Sequence, residues 1–184
     1  MPRRTIAGAT ILQIVPALYD GPEARTTVNV AHALLQAGAR ALVAAADGPL
    51  VGQLKAFGGE WVELPNATAN PFRLRRNARR LESLISSERV DIVHAHSAGG
   101  AWSARVAATR VPVWLVTSLP DAPASAGRGQ MGRALAQGDR IIAPSLYAAA
   151  SLAQRYGVAH DQITIIPREI DTDAFDQLAS ALEG

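Results

Sequence analysis

Seven short apolar segments recur along this chain of 184 residues, and they restrict its fold more than any other feature. Each is four to six residues long, which suits a strand and is too short for a helix or a membrane span. Most are apolar without alternation, and strands of that kind are buried on both faces of their sheet. The segments are residues 10–15, 41–46, 60–64, 91–95, 113–117, 140–143 and 162–166.

The sequences between these segments have the spacing of amphipathic helices. In residues 74–87 the apolar positions recur every three or four residues, at Leu74, Ala78, Leu81 and Ile85, and residues 25–37 show the same spacing. Strictly alternating strands and helices predict right-handed crossover connections and a parallel sheet covered on both faces. We therefore expect an α/β fold: a doubly wound, Rossmann-like parallel sheet of about seven strands with helices on both faces.

Composition excludes several classes of function. The chain has no cysteine, which rules out a disulfide scaffold, a thiolate metal site and a cysteine nucleophile. Its formal net charge of +2 does not indicate a nucleic-acid partner. The first residues, basic and then apolar, resemble a signal peptide, but Gln13 interrupts the apolar segment and no clear cleavage site follows. We therefore predict a first buried strand and a cytoplasmic chain.

In a doubly wound sheet, ligands bind beyond the carboxyl ends of the strands, in the loops that follow them. The first such loop contains Gly21, Pro22 and Glu23 and leads directly into a helix, whose free N–H groups could hold an anion. With a single glycine it lacks the G-x-G-x-x-G pattern of dinucleotide-binding proteins, and Asp47 is a weak candidate for a ribose-binding carboxylate. An ordinary strand-to-helix turn is the alternative. The longest loop predicted is residues 120–132.

Two histidines lie on the fourth apolar segment, His94 and His96. Side chains alternate along a strand, so both point to the same face of the sheet, as a metal-binding pair would. No third ligand is identifiable in the sequence, so we do not expect a metal. His96 is nearer the carboxyl end of the strand. We therefore predict that His96 reaches the site together with Ser97, whereas His94 packs within the sheet.

Five segments resemble, in the same order, the motifs of family 4 retaining glycosyltransferases. The most specific is D-I-V-H-A-H at residues 91–96, which resembles the D-[IV]-[IV]-H-x-H strand of that family. The other four segments resemble the G-H-x-V-x-V strand, the N-P helix start, the A-D-x-[IV]-I-A-x-S stretch and the I-P-x-G-[IV]-D-x-x-x-F segment; they are residues 38–46, 70–81, 138–145 and 166–175. The resemblance covers nearly the whole chain.

This resemblance implies the first, acceptor-side half of a two-domain GT-B glycosyltransferase, in which the second domain holds the nucleotide sugar. We expect residues 1–172 to form the acceptor-binding domain and residues 173–184 to begin the linker, with the donor domain absent. The resemblance also implies no metal or other cofactor. The expected partners are a C-terminal donor domain and a glycan or lipid-linked acceptor, for instance of the bacterial cell envelope. The chain alone is expected to be inactive.

Three residues depart from the family pattern at loops that face the site. Pro22 stands where the G-G-x-E-R loop has its second glycine, and Leu119 stands where the T-x-H-G segment has its histidine. Glu169 replaces a glycine and would resist a positive φ. These departures indicate altered chemistry, an unusual substrate or lost activity, and ordinary drift of loops with acceptor type is the alternative.

Five arginines lie close together on the helix predicted at residues 74–87 and just before it: Arg73, Arg75, Arg76, Arg79 and Arg80. A basic amphipathic helix can rest on an anionic membrane, here the inner membrane, and an ordinary solvated helix face is the alternative. Trp102 and Trp114 are expected in the core.

The function predicted is therefore acceptor binding for glycosyl transfer from a nucleotide sugar. The alternative is a non-catalytic glycan-binding or partner domain that pairs with a separately encoded donor half. A nicotinamide-dependent dehydrogenase is disfavoured because the glycine pattern is missing. No catalytic residue is assigned. The predicted acceptor-binding or sugar-binding residues are Gly21, Glu23, His96, Ser97, Ser118, Ser145 and Arg168.

Overall fold

Seven strands form one parallel sheet in the order β3-β2-β1-β4-β5-β6-β7. The structure, a computed structural model, describes residues 6–65, 70–120 and 129–167. Each strand lies within two residues of a predicted segment, which confirms the doubly wound, Rossmann-like fold. The strands are β1 (Thr10–Ala17), β2 (Arg40–Ala46), β3 (Glu60–Glu63), β4 (Ile92–Ala95), β5 (Trp114–Ser118), β6 (Arg140–Ala143) and β7 (Ile163–Ile165).

The helices alternate with the strands as predicted, although their first turns begin earlier than the apolar spacing indicated. α1 starts at Pro22 and α3 at Pro71, because proline has no N–H to leave unpaired in a first turn. Asn70 caps α3 by accepting from the backbone N–H of Phe72 at 3.0 Å. The helices are α1 (Pro22–Gln36), α2 (Leu50–Ala56), α3 (Pro71–Glu88), α4 (Ala98–Ala108), α5 (Gln130–Leu135) and α6 (Leu146–Tyr156), with a 3-10 turn at His160–Gln162.

The loop predicted at residues 120–132 is only partly a loop. Residues 121–128 lie outside the described residues, but α5 begins at Gln130, so the end of the predicted loop is the first turn of a helix. Glycines at positions 127, 129 and 132 concealed this short helix in the sequence, because glycine is unfavourable within helices.

The two faces of the sheet are covered by different helices. α1 and α2 pack over β1, β2 and β3 on one face, here called the α1 face, where Val15 and Val43 belong to the core. α3, α4, α5 and α6 pack on the opposite face, here called the α4 face, against residues such as Leu12, Val93 and Ile141. The predicted helix stripe of α3 is confirmed, because Leu74, Ala78, Leu81 and Ile85 are all buried.

The expectation for the tryptophans is half wrong. Trp102 packs, partly buried, against the core of the α4 face, but Trp114 is 65% exposed. Trp114 starts β5 with its side chain on the α1 face, where the described helices α1 and α2 make their main sheet contacts with β1, β2 and β3. An apolar residue in a parallel strand is buried only if a helix covers its side of the sheet, and the local sequence does not contain that information.

Gly48 lies where the loop after β2 crosses the chain leaving β1. A Cβ atom on Gly48 would overlap the backbone carbonyl group of Leu18. The same carbonyl oxygen accepts a hydrogen bond from the N–H of Leu50 at 3.1 Å, so the backbone of Leu18 cannot move away without loss. The close approach therefore requires glycine.

We predict that Gly48→Ala lowers the free energy of unfolding by about 2 kcal/mol, because two backbone segments must separate to admit the methyl group. Gly52→Ala is the matched control: Gly52 is within α2 and a Cβ there meets open space. It should raise the free energy of unfolding by up to about 1 kcal/mol through helix propensity. Denaturant unfolding measures both changes, and equal effects of the two substitutions would contradict the packing argument.

Candidate functional site

The carboxyl ends of the parallel strands lie along one side of the sheet, here called the carboxyl edge. Five of the seven residues predicted for the site lie along this edge: Gly21 and Glu23 follow β1, Ser97 follows β4, Ser118 ends β5 and Ser145 follows β6. All are half-buried except Ser145, which is exposed. Arg168 and Glu169 lie outside the described residues.

A buried polar chain joins α1, β1 and β4 beneath this edge. The side chain of Gln13 is completely buried, and its Nε2 donates to the backbone carbonyl of Thr27 at 3.0 Å. The Oε1 of the same amide lies 3.1 Å from Nε2 of His96. Because a carbonyl can only accept, the amide oxygen must face the histidine, and Nε2 of His96 must carry a hydrogen. The chain thus defines the proton position on one ring nitrogen of His96.

Both histidines are largely enclosed by the protein. His96 is only 8% exposed and is held inside by Gln13, whereas His94 is half-buried and keeps more contact with solvent. His94 lies on the α1 face of β4, and its Nε2 is 2.7 Å from Oγ of Ser118 on the next strand. The two imidazole rings are 4.1 Å apart between centroids. His94 and Ser118 thus form a half-buried polar pair on the α1 face.

Burial lowers the pKa of His94 to about 4. The ring is therefore neutral near pH 7, with one nitrogen able to donate and the other able to accept a hydrogen bond. The pair formed with Ser118 is thus an uncharged hydrogen-bonding group. Sequence inspection missed Gln13 and His94 as contributors, although a glutamine inside an apolar strand was a visible signal.

Two features at the start of α1 weaken its attraction for an anion. Pro22 supplies no N–H at the first helical position, so the first turn has one backbone donor fewer. The adjacent charges neutralise one another, because Arg25 donates from Nη2 to Asp20 at 2.9 Å and this hydrogen bonding lowers the pKa of the Asp20 carboxyl. A Cβ on Gly21 would meet only open space, so the protein itself does not require glycine there.

Two serines at the carboxyl edge are N-caps. Ser97 Oγ accepts from the N–H of Gly100 at 3.2 Å, and Ser145 Oγ accepts from the N–H of Ala148 at 3.1 Å. Each hydroxyl hydrogen can still donate to a neighbouring group. Gly100 is needed for packing, since a Cβ there would come within 2.8 Å of Ile14 Cγ2.

Leu119, which follows β5 where the family pattern has a histidine, is a core residue. It is 5% exposed and packs in the core of the α4 face with Leu152 of α6. Its backbone N–H donates to the carbonyl of Ile142 at 2.9 Å, which continues the sheet. The side chain therefore points away from His94 and Ser118 and contributes packing, not chemistry.

Neither a metal cluster nor a spanning helix occurs in the part of the chain that the structure describes. No three histidine, aspartate or glutamate side chains there are grouped as metal ligands. No helix there is both long and apolar enough to cross a membrane.

The sequence model of glycosyltransferase family 4 matches residues 24–174. The chain belongs to glycosyltransferase family 4. Among curated proteins, none matches it. A glycosyltransferase from Rickettsia africae ESF-5 is similar in structure, with 30% sequence identity and a TM-score of 0.72. The match covers 92% of the present chain and 45% of the Rickettsia protein.

Two further solved structures resemble the fold at lower identity. Anabaena HepE, crystallised with UDP and glucose, has 16% identity and a TM-score of 0.68, covering 90% of this chain and 46% of its own. A lipopolysaccharide outer core galactosyltransferase has 12% identity and a TM-score of 0.69, covering 88% of this chain and 46% of its own. The family 4 chain thus spans less than half the length of these proteins and has the N-terminal half-domain fold of a GT-B glycosyltransferase.

The lowered pKa of His94 predicts a pH-dependent stability. In the folded chain His94 stays neutral down to about pH 4, whereas in the unfolded chain it takes up a proton below its ordinary pKa of 6.5. The free energy of unfolding should therefore fall as the pH is lowered from 6.5 towards 4. Denaturant unfolding of wild type and His94→Gln across this range measures the effect. The variant, which cannot titrate there, should show a smaller loss, and identical pH dependence would contradict the prediction.

Proposed function

We propose that the family 4 chain binds a hydroxyl-rich acceptor at its carboxyl edge, for glycosyl transfer from a nucleotide sugar held by a C-terminal donor domain. The observation that supports this proposal is that uncharged hydrogen-bonding groups lie at the carboxyl ends of three neighbouring strands. Ser97, Ser118 and Ser145 follow or end β4, β5 and β6, and His94 is neutral beside Ser118. Such groups suit sugar hydroxyls better than a diphosphate, which binds cations and helix N-termini.

The loop after β1 also supports acceptor binding by this domain and nucleotide binding by a second one. Open space in front of Gly21 leaves room for a ligand to approach the backbone, while Pro22 and the Asp20–Arg25 ion pair reduce the attraction for an anion. A nucleotide diphosphate would therefore depend on residues of a second domain, such as the remaining half of the longer relatives. The bound acceptor would be a glycan or a lipid-linked glycan, for instance of a bacterial cell envelope.

Protein-observed NMR tests this assignment of ligands. We predict that a panel of methyl glycosides, at millimolar concentration, shifts the amide signals of Ser97, Ser118 and Ser145, and that Ser118→Ala weakens the response. Ser83→Ala, on the exposed outer side of α3, is the matched control and should leave the response unchanged. UDP-glucose should not bind with submicromolar affinity. Submicromolar UDP-glucose binding, or glycoside shifts confined to other loops, would overturn the proposal.

We also propose that the outer side of α3 contacts an anionic membrane. Its arginine surface consists of Arg73, Arg75, Arg76, Arg79 and Arg80, all exposed, and no ion pair to any of them occurs among the described residues. The acidic residues of the same helix are paired elsewhere: Glu82 with Arg110 at 3.0 Å and Glu88 with Arg40 at 2.8 Å. The positive charge of this surface is therefore uncompensated.

An exposed aromatic side chain favours a lipid surface over a soluble anion. Phe72 is 77% exposed and lies among Arg75, Arg76 and Arg79 around one cavity. An aromatic ring between cations can enter the headgroup region while the guanidinium groups bind lipid phosphates. Because α3 starts on the carboxyl side of β3, this contact would hold the carboxyl edge near a membrane, for a cytoplasmic chain the inner one.

Vesicle sedimentation checks the membrane contact. We predict that the chain binds vesicles containing 30% phosphatidylglycerol, and that Arg76→Gln with Arg79→Gln reduces partitioning about tenfold or more, at about 1 kcal/mol per arginine. Arg105→Gln with Arg155→Gln, which removes two exposed arginines on α4 and α6, should change partitioning much less. Equal losses in both double variants would show a non-specific charge effect and contradict a defined surface.

A further inference from the structure

Large, strongly exposed side chains are concentrated on the carboxyl side of the sheet. Among the described residues, five large apolar or aromatic side chains are at least 65% exposed. Four of them lie in segments that follow the carboxyl end of a strand: Tyr19 after β1, Phe72 at the start of α3, and Leu146 and Tyr147 at the start of α6. Single exposed apolar residues are ordinary, but their concentration on one side of a sheet indicates a surface that a ligand covers.

Two of these side chains lie close in sequence to groups proposed to bind the acceptor. Tyr19 is two residues before Gly21, and Tyr147 is two residues after Ser145. We call Tyr19 and Tyr147 the edge tyrosines. Their rings are not used for packing, since they are 66% and 72% exposed and α6 packs through other residues. The buried residues of α6 are Ala148, Ala149 and Leu152.

The backbone holds both edge tyrosines in defined positions. Just before Tyr19, the N–H of Leu18 donates to the carbonyl of Ala46 at 3.2 Å, and the carbonyl of Leu18 accepts from Leu50 at 3.1 Å. Tyr147 lies in the first turn of α6, which Ser145 caps. A tyrosine side chain has few torsions, so a ligand that stacks on a ring held in this way immobilises little.

We propose that the acceptor is an oligosaccharide that lies along the carboxyl edge and stacks on both edge tyrosines, an inference that rests on the acceptor binding proposed above. A pyranose has hydroxyl groups at its rim and C–H groups on its faces, which suit hydrogen-bonding groups and the negative face of an aromatic ring. The carboxyl edge offers both, because Ser97 and Ser118 belong to the strands between β1 and β6. A lipid chain could contact the rings but would leave these hydroxyl groups unpaired.

The separation of the edge tyrosines indicates the length of the ligand. In the sheet, β4 and β5 lie between β1 and β6, so the two tyrosines follow strands that are about 14 Å apart. One pyranose ring is too small to contact both tyrosines, whereas a linear chain of several sugars covers this distance. The carboxyl edge should therefore select acceptors by length, because only a longer chain makes both stacking contacts.

Fluorine NMR of 3-fluorotyrosine-labelled protein tests the proposal on the intact chain. The three tyrosines give three signals, which replacement of each by phenylalanine assigns. The probes are the methyl glycoside that shifts the Ser118 amide most and its linear oligomers of two, three and four sugars. We expect the tetramer to shift both edge tyrosines with one midpoint, at a Kd about tenfold below that of the monomer. Tyr156, which packs partly buried against the core of the α4 face, should not respond.

Substitution separates the stacking contacts from the rest of the site. Tyr19→Ala with Tyr147→Ala should reduce the ratio of the monomer Kd to the tetramer Kd about fivefold or more. Tyr19→Phe with Tyr147→Phe should retain this ratio, because the ring stacks and the hydroxyl does not. Trp114→Ala is the matched control and should leave both Kd values unchanged, since this side chain is 65% exposed but lies at the amino end of β5.

Three outcomes would overturn the inference and leave acceptor binding in place. The first is a Ser118 response to glycosides without any response of the edge tyrosines. The second is equal Kd values for the monomer and the tetramer in the wild type. The third is a shift of the edge tyrosines by hexanol as large as that by the tetramer, which would show a general apolar surface. If no glycoside shifts Ser118, the proposed acceptor binding fails and this inference fails with it.

Discussion

The pairing of β1 with β2 on one side and β4 on the other is the constraint on which the remaining structure depends. From β1 the chain first builds outwards to β2 and β3 and then returns to add β4 to β7 on the other side. The loops after β1 and β4 consequently leave the sheet towards opposite faces and open a crevice between them. The reversal therefore brings the loop that contains Gly21 and the loop that contains Ser97 to neighbouring positions at the carboxyl edge.

The reversal is held by buried polar contacts as well as by apolar packing. Gln13 lies in the middle of β1, where an unsatisfied amide would cost the chain several kilocalories of desolvation. Its two hydrogen bonds go to Thr27 on α1 and to His96 after β4, so satisfying one side chain joins three elements. An apolar residue at position 13 could be buried in several alternative registers of β1 against its neighbouring strands. The Gln13 amide favours the register in which it bonds to both Thr27 and His96. These contacts therefore fix the positions of α1 and of the loop after β4 relative to β1.

Features set by neighbouring residues in the sequence could be predicted, whereas features set by residues far apart in the chain could not. The strands and the stripe of α3 follow from local periodicity, so their positions were predicted within a few residues. The burial of His96 was not predicted, because it depends on Gln13, which is 83 positions away in the chain. The exposure of Trp114 was likewise missed, since it depends on where α1 and α2 stop covering the sheet. The sites expected at Arg168 and Glu169 stay predictions, because both residues lie outside the described part of the chain.

The departures from the family pattern have a common physical consequence where the structure describes them. Pro22 removes a backbone donor from the first turn of α1, and Leu119 places an apolar side chain in the core of the α4 face instead of a histidine near the crevice. Both changes remove hydrogen-bond donors that could face a negatively charged group, and the neutral His94 adds no charge in their place. A carboxyl edge that has lost donors for anions but kept hydroxyl groups on three loops is better matched to a neutral sugar. The two substitutions leave the hydroxyl groups of Ser97, Ser118 and Ser145 in place, and these are the groups on which the proposed acceptor binding depends.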